Sequence, residues 1–177
     1  MLELLDILFP RVCGVCKKLS SEYICNKCRV KLENQKYDYF QDNLKRDKHS
    51  YDELIAPFFY SKQIRKLILE YKFQEQNYLY KSIVKILINN HKIVEKISKY
   101  DTIVAVPISK ERFKERGYNQ SYLVAKEISK ILNKDISDDV IIKTKNILPQ
   151  STMNIKEREK NIIGAYEIVK MKMLVNI

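Results

Sequence analysis

Four cysteines within sixteen positions restrict what the N-terminal part of this chain can fold into. They are spaced as Cys13-x2-Cys16-x8-Cys25-x2-Cys28. In a C-x2-C pair two thiolates reach one ion, and two such pairs complete a closed tetrahedral shell without an open catalytic position. We therefore predict a structural zinc knuckle at residues 13–28. Four unpaired thiols, two disulfides and an iron–sulfur cluster are the alternatives.

The charge balance favours a polyanionic partner. The chain has 33 Lys and Arg against 22 Asp and Glu, a formal net charge of +11. Nucleic acid, an anionic membrane or a phosphorylated small molecule would suit this charge. A composition generally rich in Lys, Ile and Asn explains the same excess without any partner. Only three glycines are present, and they do not cluster, which excludes a Walker loop and a dinucleotide-binding fingerprint.

No targeting signal is visible in the sequence. The first nine residues are apolar but short, contain two acids and lack a basic region ahead of them. No run approaches the roughly 18 apolar residues of a membrane span. We expect a cytoplasmic protein with no membrane span, in which thiols stay reduced.

Two domains are predicted from composition. Residues 1–9 read as a short helix, and residues 35–50 are polar with little apolar periodicity, as is typical of a linker. A boundary inside this linker separates residues 1–48, with the knuckle, from residues 49–177.

The second predicted domain alternates between strands and helices. Apolar runs predict strands at residues 54–60, 103–106, 140–142 and 165–169. Apolar residues at helical spacing predict three helices. The first, with Ser61 as its cap, carries Ile64, Leu67, Ile68 and Tyr71. The second helix carries Leu79, Ile83, Ile86 and Leu87, and the third carries Val124, Ile128, Ile131 and Leu132. Such alternation predicts an α/β domain with a parallel sheet, and the run 103–106 is typical of a strand buried on both faces.

A basic segment follows the predicted strand at residues 103–106. Ligands of open α/β sheets bind beyond the carboxyl ends of the strands, where this segment places Arg112 and Arg116. A guanidinium suits bidentate contacts to phosphate. The alternative is a solvated loop in which Glu111 and Glu115 compensate the two arginines.

The residues just beyond this arginine pair favour a turn into a helix. Gly117 lets the backbone turn, and Asn119 or Ser121 can cap the next helix and direct its N-terminus at an anion. Phe113 and Tyr118 lie between the basic residues, where aromatic rings can stack nucleobases.

The chain resembles the ComF family of competence-associated, phosphoribosyltransferase-like proteins. The resemblance covers residues 1–170. Its most specific part is Val104-Ala105-Val106-Pro107 followed by Arg112-x3-Arg116-Gly117-Tyr118-Asn119-Gln120-Ser121. The remaining matches are the cysteine pairs, Tyr60…Ile64-Arg65-x2-Ile68…Tyr71-Lys72, and Lys143…Gln150 with Arg158-x2-Asn161-x2-Gly164-Ala165-Tyr166.

The resemblance implies a type I phosphoribosyltransferase-like parallel-sheet domain after the knuckle. It implies the handling of single-stranded DNA during natural transformation, with a helicase or DNA-uptake protein as a candidate partner. The residues that it places at phosphate or nucleic acid are Arg112, Arg116, Gly117, Asn119, Gln120, Arg158 and Asn161.

The same resemblance implies further elements beyond residue 170. They are a strand ending in two acids and a Thr-Thr-Gly-type loop, which hold the ribose hydroxyls and the 5′-phosphate of phosphoribosyl pyrophosphate. Residues 171–177 contain neither, and Asn176 lies where an acid is expected. We therefore expect an incomplete domain truncated before the phosphoribosyl pyrophosphate loop, without catalysis. Magnesium would be needed only by an intact site. An active phosphoribosyltransferase and a zinc-stabilised protein-interaction module are the alternatives.

Overall fold

A computed structural model describes residues 10–33, 36–42, 51, 53–60, 62–147 and 153–169. The protein is mixed α/β, with a four-cysteine cluster near its N-terminus and a small parallel sheet. It divides into two compact units, Met1–Lys99 and Tyr100–Ile177. The boundary predicted between residues 48 and 49 lies outside the described residues, as does the helix predicted for residues 1–9.

The first unit combines helices with an antiparallel strand pair. Its described elements are α1 (Asn26–Glu33), β1 (Lys36–Asp42), β2 (Glu53–Phe58), α2 (Lys62–Phe73), α3 (Leu79–Ile88) and α4 (His91–Ser98). Its buried apolar side chains include Ile24, Leu32, Leu67, Tyr71, Leu79, Val84, Ile86 and Ile93.

Helices α2 and α3 confirm the two helical patterns read from the first half of the second predicted domain. Helix α4 was missed because it has only eight residues and one fully buried side chain, Ile93. Its N-terminal signal is nevertheless in the sequence, since the side chain of Asn90 accepts a hydrogen bond from the backbone amide of Lys92 at 3.1 Å. The predicted cap Ser61 lies outside the described residues.

Strand β1 occupies much of the segment that the composition favours as a linker. It pairs with β2 in antiparallel register from Lys36↔Phe58 to Asp42↔Glu53. The pairing joins backbone groups and does not require an apolar side-chain pattern, so a polar sequence with three aromatics, KYDYFQD, can still form a strand. Side-chain polarity alone therefore does not distinguish a strand from a linker at this position.

The knuckle packs against helix α3. The carbonyl oxygen of Tyr23 accepts hydrogen bonds from the Gly14 amide at 2.9 Å and from the Ser82 hydroxyl at 2.9 Å. A Cβ atom at residue 14 would lie 2.3 Å from Ser82 Oγ and 3.2 Å from Leu79 Cδ2. A residue without a side chain is therefore required where the knuckle meets the helix.

An ion pair joins the knuckle to helix α2. Lys17, whose backbone is left-handed with φ 63°, places its Nζ atom 2.7 Å from Glu70 Oε2. The same Nζ donates to Gln76 Oε1 at 3.0 Å. Glu70 is 8% exposed, and a carboxylate buried to this degree needs its cation. The knuckle thus belongs to the same compact unit as α2 and α3.

The second unit contains one parallel and one antiparallel strand pair. Its described elements are β3 (Thr102–Val104), α5 (Lys110–Arg116), α6 (Gln120–Leu132), β4 (Asp135–Ser137), β5 (Ile141–Lys143), α7 (Ile155–Ile162) and β6 (Tyr166–Ile168). Its buried apolar residues are Ala105, Ala125, Ile128, Val140 and Ala165.

The predicted parallel sheet is confirmed for one strand pair of the second unit. Strands β3 and β4 are parallel, in the register Thr102↔Asp135 to Val104↔Ser137, whereas β5 and β6 are antiparallel. Each sheet has two strands within the described residues. Apolar runs of three residues mark strands but carry no information on the direction of the partner, which explains the difference.

Two local expectations for the second unit were wrong. The strand predicted at residues 103–106 is not buried on both faces, because β3 is half-buried throughout and Val106 is 56% exposed. The basic segment after it is not a loop. Residues Lys110–Arg116 form helix α5, whose first turn is capped by Ser109 Oγ accepting from the Arg112 amide at 3.3 Å.

None of the helices in the described ranges has both the length and the apolar character needed to cross a lipid bilayer.

Replacing Gly14 with alanine tests the packing of the knuckle on α3. The added Cβ would overlap Ser82, so the metal-loaded protein should lose about 1–3 kcal/mol of unfolding free energy. Thermal or urea denaturation monitored by circular dichroism measures the change. Lys18→Ala, an exposed change in the same segment, is the matched control and should have little effect. Equal stability of the two variants would contradict the close contact.

Candidate metal centre

The four cysteines predicted as metal ligands are brought together. Their Sγ atoms all lie within 4.8 Å of one another, and Cys16 Sγ lies 3.8 Å from Cys25 Sγ. None of the four forms a disulfide. The close approach of four sulfur atoms is the arrangement that the two C-x2-C spacings predict.

A tight hairpin presents the first cysteine pair. The Lys17 amide donates to the Cys13 carbonyl and the Cys13 amide donates to the Lys18 carbonyl, both at 2.8 Å. A single antiparallel bridge between Val12 and Leu19 closes the hairpin. This turn places the side chains of residues 13 and 16 on the side that faces the second pair.

The start of helix α1 presents the second pair. Cys25 lies just before the helix and Cys28 in its first turn, so they are three positions apart along the chain and their side chains lie on one face. The Cys25 amide donates to Cys13 Sγ at 3.4 Å. This bond connects the two halves of the cluster directly through a sulfur atom.

The environment of Cys13 favours its thiolate. Burial raises the pKa of this thiol, but hydrogen bonds from the backbone amides of Cys16, Cys25 and Val15 outweigh burial and bring the pKa from 9.0 to about 7. Amide donors stabilise the negatively charged sulfur and thereby lower its pKa. The Cys13 thiol therefore loses its proton more readily than an ordinary cysteine near neutral pH.

The environment of Cys28 has the opposite effect when no cation is near. Burial is the main cause that raises the pKa of Cys28, and hydrogen bonds with the Cys25 and Cys16 side chains and the negative charge of Cys13 raise it further. A second thiolate beside the first is unfavourable unless a cation offsets both charges. Such a response is typical of a metal-binding cluster, in which the ion makes full deprotonation possible.

The sulfur positions fit a tetrahedral thiolate site. With metal–sulfur bonds of about 2.3 Å, a regular tetrahedron has sulfur–sulfur edges of roughly 3.8 Å. The measured separation of Cys16 and Cys25 equals this length, and the other pairs need only small side-chain adjustments. Four thiolates leave no open position on such an ion, so the centre is suited to holding structure and not to catalysis.

Helix α5 places its two arginines near a third cation in the second unit. The pKa of Arg116 is lowered mainly by burial and then by the charge of Arg112. Burial and Arg112 also lower the pKa of Lys143 on β5. Acids offset part of this charge, since Arg112 Nη1 lies 3.7 Å from Glu115 Oε2, and the charges of Glu115 and Glu111 act against the lowering of the pKa of Arg116 and of Lys143 respectively. We call Arg112, Arg116 and Lys143 the cation cluster.

Lys143 was not among the predicted site residues. Its Nζ lies 5.6 Å from the centre of the Tyr166 ring on the paired strand β6. The sequence did contain a signal for it, because Lys143 is among the positions named in the resemblance. The effect of the Arg112 charge on Lys143 depends on the placement of β5, which the sequence does not show.

Two predicted site residues, Gly117 and Asn119, set the path of the backbone between α5 and α6, and a third, Gln120, begins α6. Gly117 has φ 73° and ends α5. Asn119 caps α6, accepting from the Ser121 amide at 3.0 Å, and its Nδ2 donates to the Val106 carbonyl at 3.2 Å. The predicted cap is therefore confirmed. Gln120, 6% exposed, is buried in the first turn of α6.

The two predicted site residues on helix α7 have local roles. Arg158 is exposed, and its Nε donates to the Met153 carbonyl at 3.0 Å. Asn161 is half-buried in the last turn of the helix. The N-terminus of α7 is closed by a capping box between Asn154 and Glu157. Both residues therefore lie on α7. That they contact phosphate stays a prediction.

No protein-family model, curated protein or solved structure matches the chain.

The purified protein is expected to bind one divalent metal ion per chain with tetrahedral thiolate coordination. Elemental analysis should give one ion per chain, and cobalt(II) loading should produce the visible and thiolate charge-transfer absorption of tetrahedral sulfur coordination. Cys13→Ser removes the most buried ligand and should abolish tight binding, whereas Ser20→Ala in the same hairpin should not. Octahedral cobalt spectra in the wild-type protein would contradict the proposed shell.

The lowered pKa of Cys13 predicts how the stability of the metal-free protein depends on pH. Folding lowers this pKa from 9.0 to about 7, so between these values the unfolded chain binds more protons and stability rises with pH. The contribution is present above pH 9 and is lost as the pH falls through 7. The stability advantage of wild type over Cys13→Ser should therefore widen from pH 7 to pH 9 in denaturation with a phosphine reductant. A constant difference would contradict this assignment.

Proposed function

We propose that this chain is a ComF-like protein that handles single-stranded DNA, with zinc as the structural metal of its cysteine cluster. The proposal extends to a type I phosphoribosyltransferase-like arrangement of the second unit. The parallel pair β3–β4, connected through α5 and α6, supports such an arrangement. The resemblance of Arg112 to Ser121 to the family signature supports the same assignment.

The cation cluster is the observation that carries the nucleic-acid proposal. Arg112, Arg116 and Lys143 lie close enough that Arg112 lowers the pKa of the other two. Like charges that are held together in part-buried positions are unfavourable in isolation, and an anion that lies among them removes the repulsion. A phosphodiester supplies such an anion, and the two arginines can contact it in bidentate fashion.

An exposed aromatic side chain lies among these cations. Phe113, between the two arginines on α5, is 52% exposed. Aromatic side chains in a basic groove stack the bases of single strands regardless of sequence. A cation cluster with one accessible ring therefore favours a single strand over a duplex, whose bases are already stacked.

The first unit offers a second group of basic and aromatic side chains next to the knuckle. Arg11 and Lys81 lie over the Tyr23 ring, 5.0 Å and 5.2 Å from its centre. Lys81 also lies 5.9 Å from the centre of the Tyr80 ring. The zinc ion would act on DNA binding indirectly here, by holding the hairpin that carries Arg11. Side chains of these types favour the phosphate backbone as a ligand of this surface as well.

A phosphoribosyltransferase is the second candidate. The same cation cluster would suit the pyrophosphate group of phosphoribosyl pyrophosphate, since guanidinium and ammonium groups bind phosphates generally. Isothermal titration with phosphoribosyl pyrophosphate and magnesium separates the candidates. Micromolar binding would favour the enzyme, and oligonucleotide binding without it favours DNA handling.

Replacing Arg116 with alanine tests the DNA-handling proposal. Binding of a fluorescent single-stranded oligonucleotide should weaken about tenfold at low salt, because a charge-assisted contact worth ~1.4 kcal/mol is lost. The slope of log affinity against log salt should also fall by roughly 0.7, the value for one phosphate contact on a single strand.

Lys130→Ala is the matched control for that measurement. Lys130 is an exposed cation on α6 outside the cation cluster, and its loss changes the net charge by the same amount. If both variants weaken binding equally, net charge and not the cluster governs affinity. Wild-type binding that does not depend on salt would overturn the proposal.

A further inference from the structure

The four cysteines of the metal centre differ in exposure. Cys13 is 0% exposed and Cys28 8% exposed, whereas Cys16 is exposed and Cys25 half-buried. Each C-x2-C pair therefore has one more exposed cysteine, which is Cys16 in the first pair and Cys25 in the second. The Sγ atoms of these two cysteines lie 3.8 Å apart.

We propose that Cys16 and Cys25 are a site of oxidation by hydroperoxides, at which a disulfide forms between the two residues and the metal is released. This inference rests on the metal centre of the proposed function. It adds that two of the four cysteines react, that the reactant is a hydroperoxide, and that the product is a disulfide, which a thiol can reduce again.

The reaction balances with a hydroperoxide as the only oxidant. The Cys16 thiolate attacks one peroxide oxygen, the O–O bond breaks, and a sulfenic acid forms with release of hydroxide, or alkoxide from an organic peroxide. The Cys25 thiolate then attacks the oxidised sulfur, the S–S bond forms and a second hydroxide leaves. The two sulfurs lose two electrons, the peroxide gains them, and two protons from solvent neutralise the two anions.

Accessibility selects Cys16 as the sulfur that reacts first. A peroxide must approach the sulfur in line with its O–O bond, which requires open space on one side of the thiolate. Cys16 lies on the exposed turn of the hairpin. Cys13 is fully covered, and its sulfur also accepts the Cys25 amide at 3.4 Å.

Distance and accessibility then select Cys25 as the partner. A disulfide needs a sulfur–sulfur distance of about 2.05 Å, so the two atoms must approach by roughly 1.8 Å, which side-chain rotation at an exposed turn can supply. Within either C-x2-C pair the partner sulfur is buried instead. Closure between the hairpin and the start of α1 is therefore favoured over closure within a pair.

The oxidised chain is expected to keep the packing of its first unit. Loss of two thiolates leaves only Cys13 and Cys28, and two ligands do not hold a divalent ion tightly. The contacts of Gly14 with Tyr23 and of Lys17 with Glu70 use no sulfur and remain. The new disulfide also keeps the hairpin joined to α1, so a thiol reductant can restore the site without refolding.

Disulfide mapping on the zinc-loaded full chain tests the inference. Protein of measured zinc content is treated with hydrogen peroxide, and zinc release is followed with a chromogenic chelator. Trypsin cleaves after Arg11, Lys17 and Lys27, so the cysteines fall on three peptides: Cys13 with Cys16, Cys25, and Cys28. Fragmentation of the linked peptides separates Cys16–Cys25 from Cys13–Cys25.

The expected result is a predominant Cys16–Cys25 link, at least fivefold above any other pair. It should form at the rate of zinc release and be reversed by dithiothreitol with zinc. A predominant Cys13–Cys16 or Cys25–Cys28 link, or zinc release without any disulfide, would overturn the inference while leaving the zinc centre intact. A purified chain that holds no metal would instead overturn the zinc centre of the proposed function.

A second measurement avoids reliance on peroxide and on variants. Brief exposure of the zinc-loaded wild-type protein to a substoichiometric alkylating agent should modify Cys16 first, with Cys13 and Cys28 at least fivefold slower. Equal modification of all four cysteines would contradict the difference in accessibility.

Discussion

Four sulfur atoms that lie within 4.8 Å of one another cannot all become thiolates without a cation among them. Two unit charges 4 Å apart near a protein surface repel by about 4 kcal/mol, so each further deprotonation becomes harder than the last. This repulsion contributes to the raised pKa of Cys28, whose main cause is burial, whereas at Cys13 burial is outweighed by backbone amide donors, which lower the pKa. A cation that relieves this repulsion would add to the packing that the knuckle already has, through Gly14 and Ser82 and through Lys17 and Glu70.

In the first unit, the hairpin that presents two of the thiolates also packs against helices α2 and α3. Gly14 lies inside the first cysteine pair and also in contact with Ser82 on α3, so the turn that presents two ligands is the turn that meets the helix. Lys17 follows directly and pairs with Glu70 on α2. Metal binding and helix packing are therefore expected to stabilise each other, since both need the same hairpin geometry.

The second unit presents the same problem with the sign of the charge reversed. Arg112, Arg116 and Lys143 are gathered by a helix and a strand, and burial together with the charge of Arg112 lowers the pKa of the other two, partly offset by Glu115 and Glu111. Asn119 and Gly117 do not add charge to this cluster. They set the path of the backbone from α5 into α6, which determines where the arginines lie.

The sequence by itself determined the features that arise from local spacing. Two C-x2-C pairs converge on one ion because a tight turn or one helical turn brings sulfurs three residues apart together, and Asn119 caps α6 because its side chain meets amides two and three residues ahead.

Only the tertiary structure decided the features that depend on distant partners. These are the antiparallel pairing of β5 with β6, the strand within a polar segment at β1, the closeness of Lys143 to the arginines, and the difference in exposure between Cys16 and Cys13. Each depends on which surface covers a residue or which strand lies beside it. Short apolar runs and charge counts do not contain that information, because many distant partners satisfy the same local pattern.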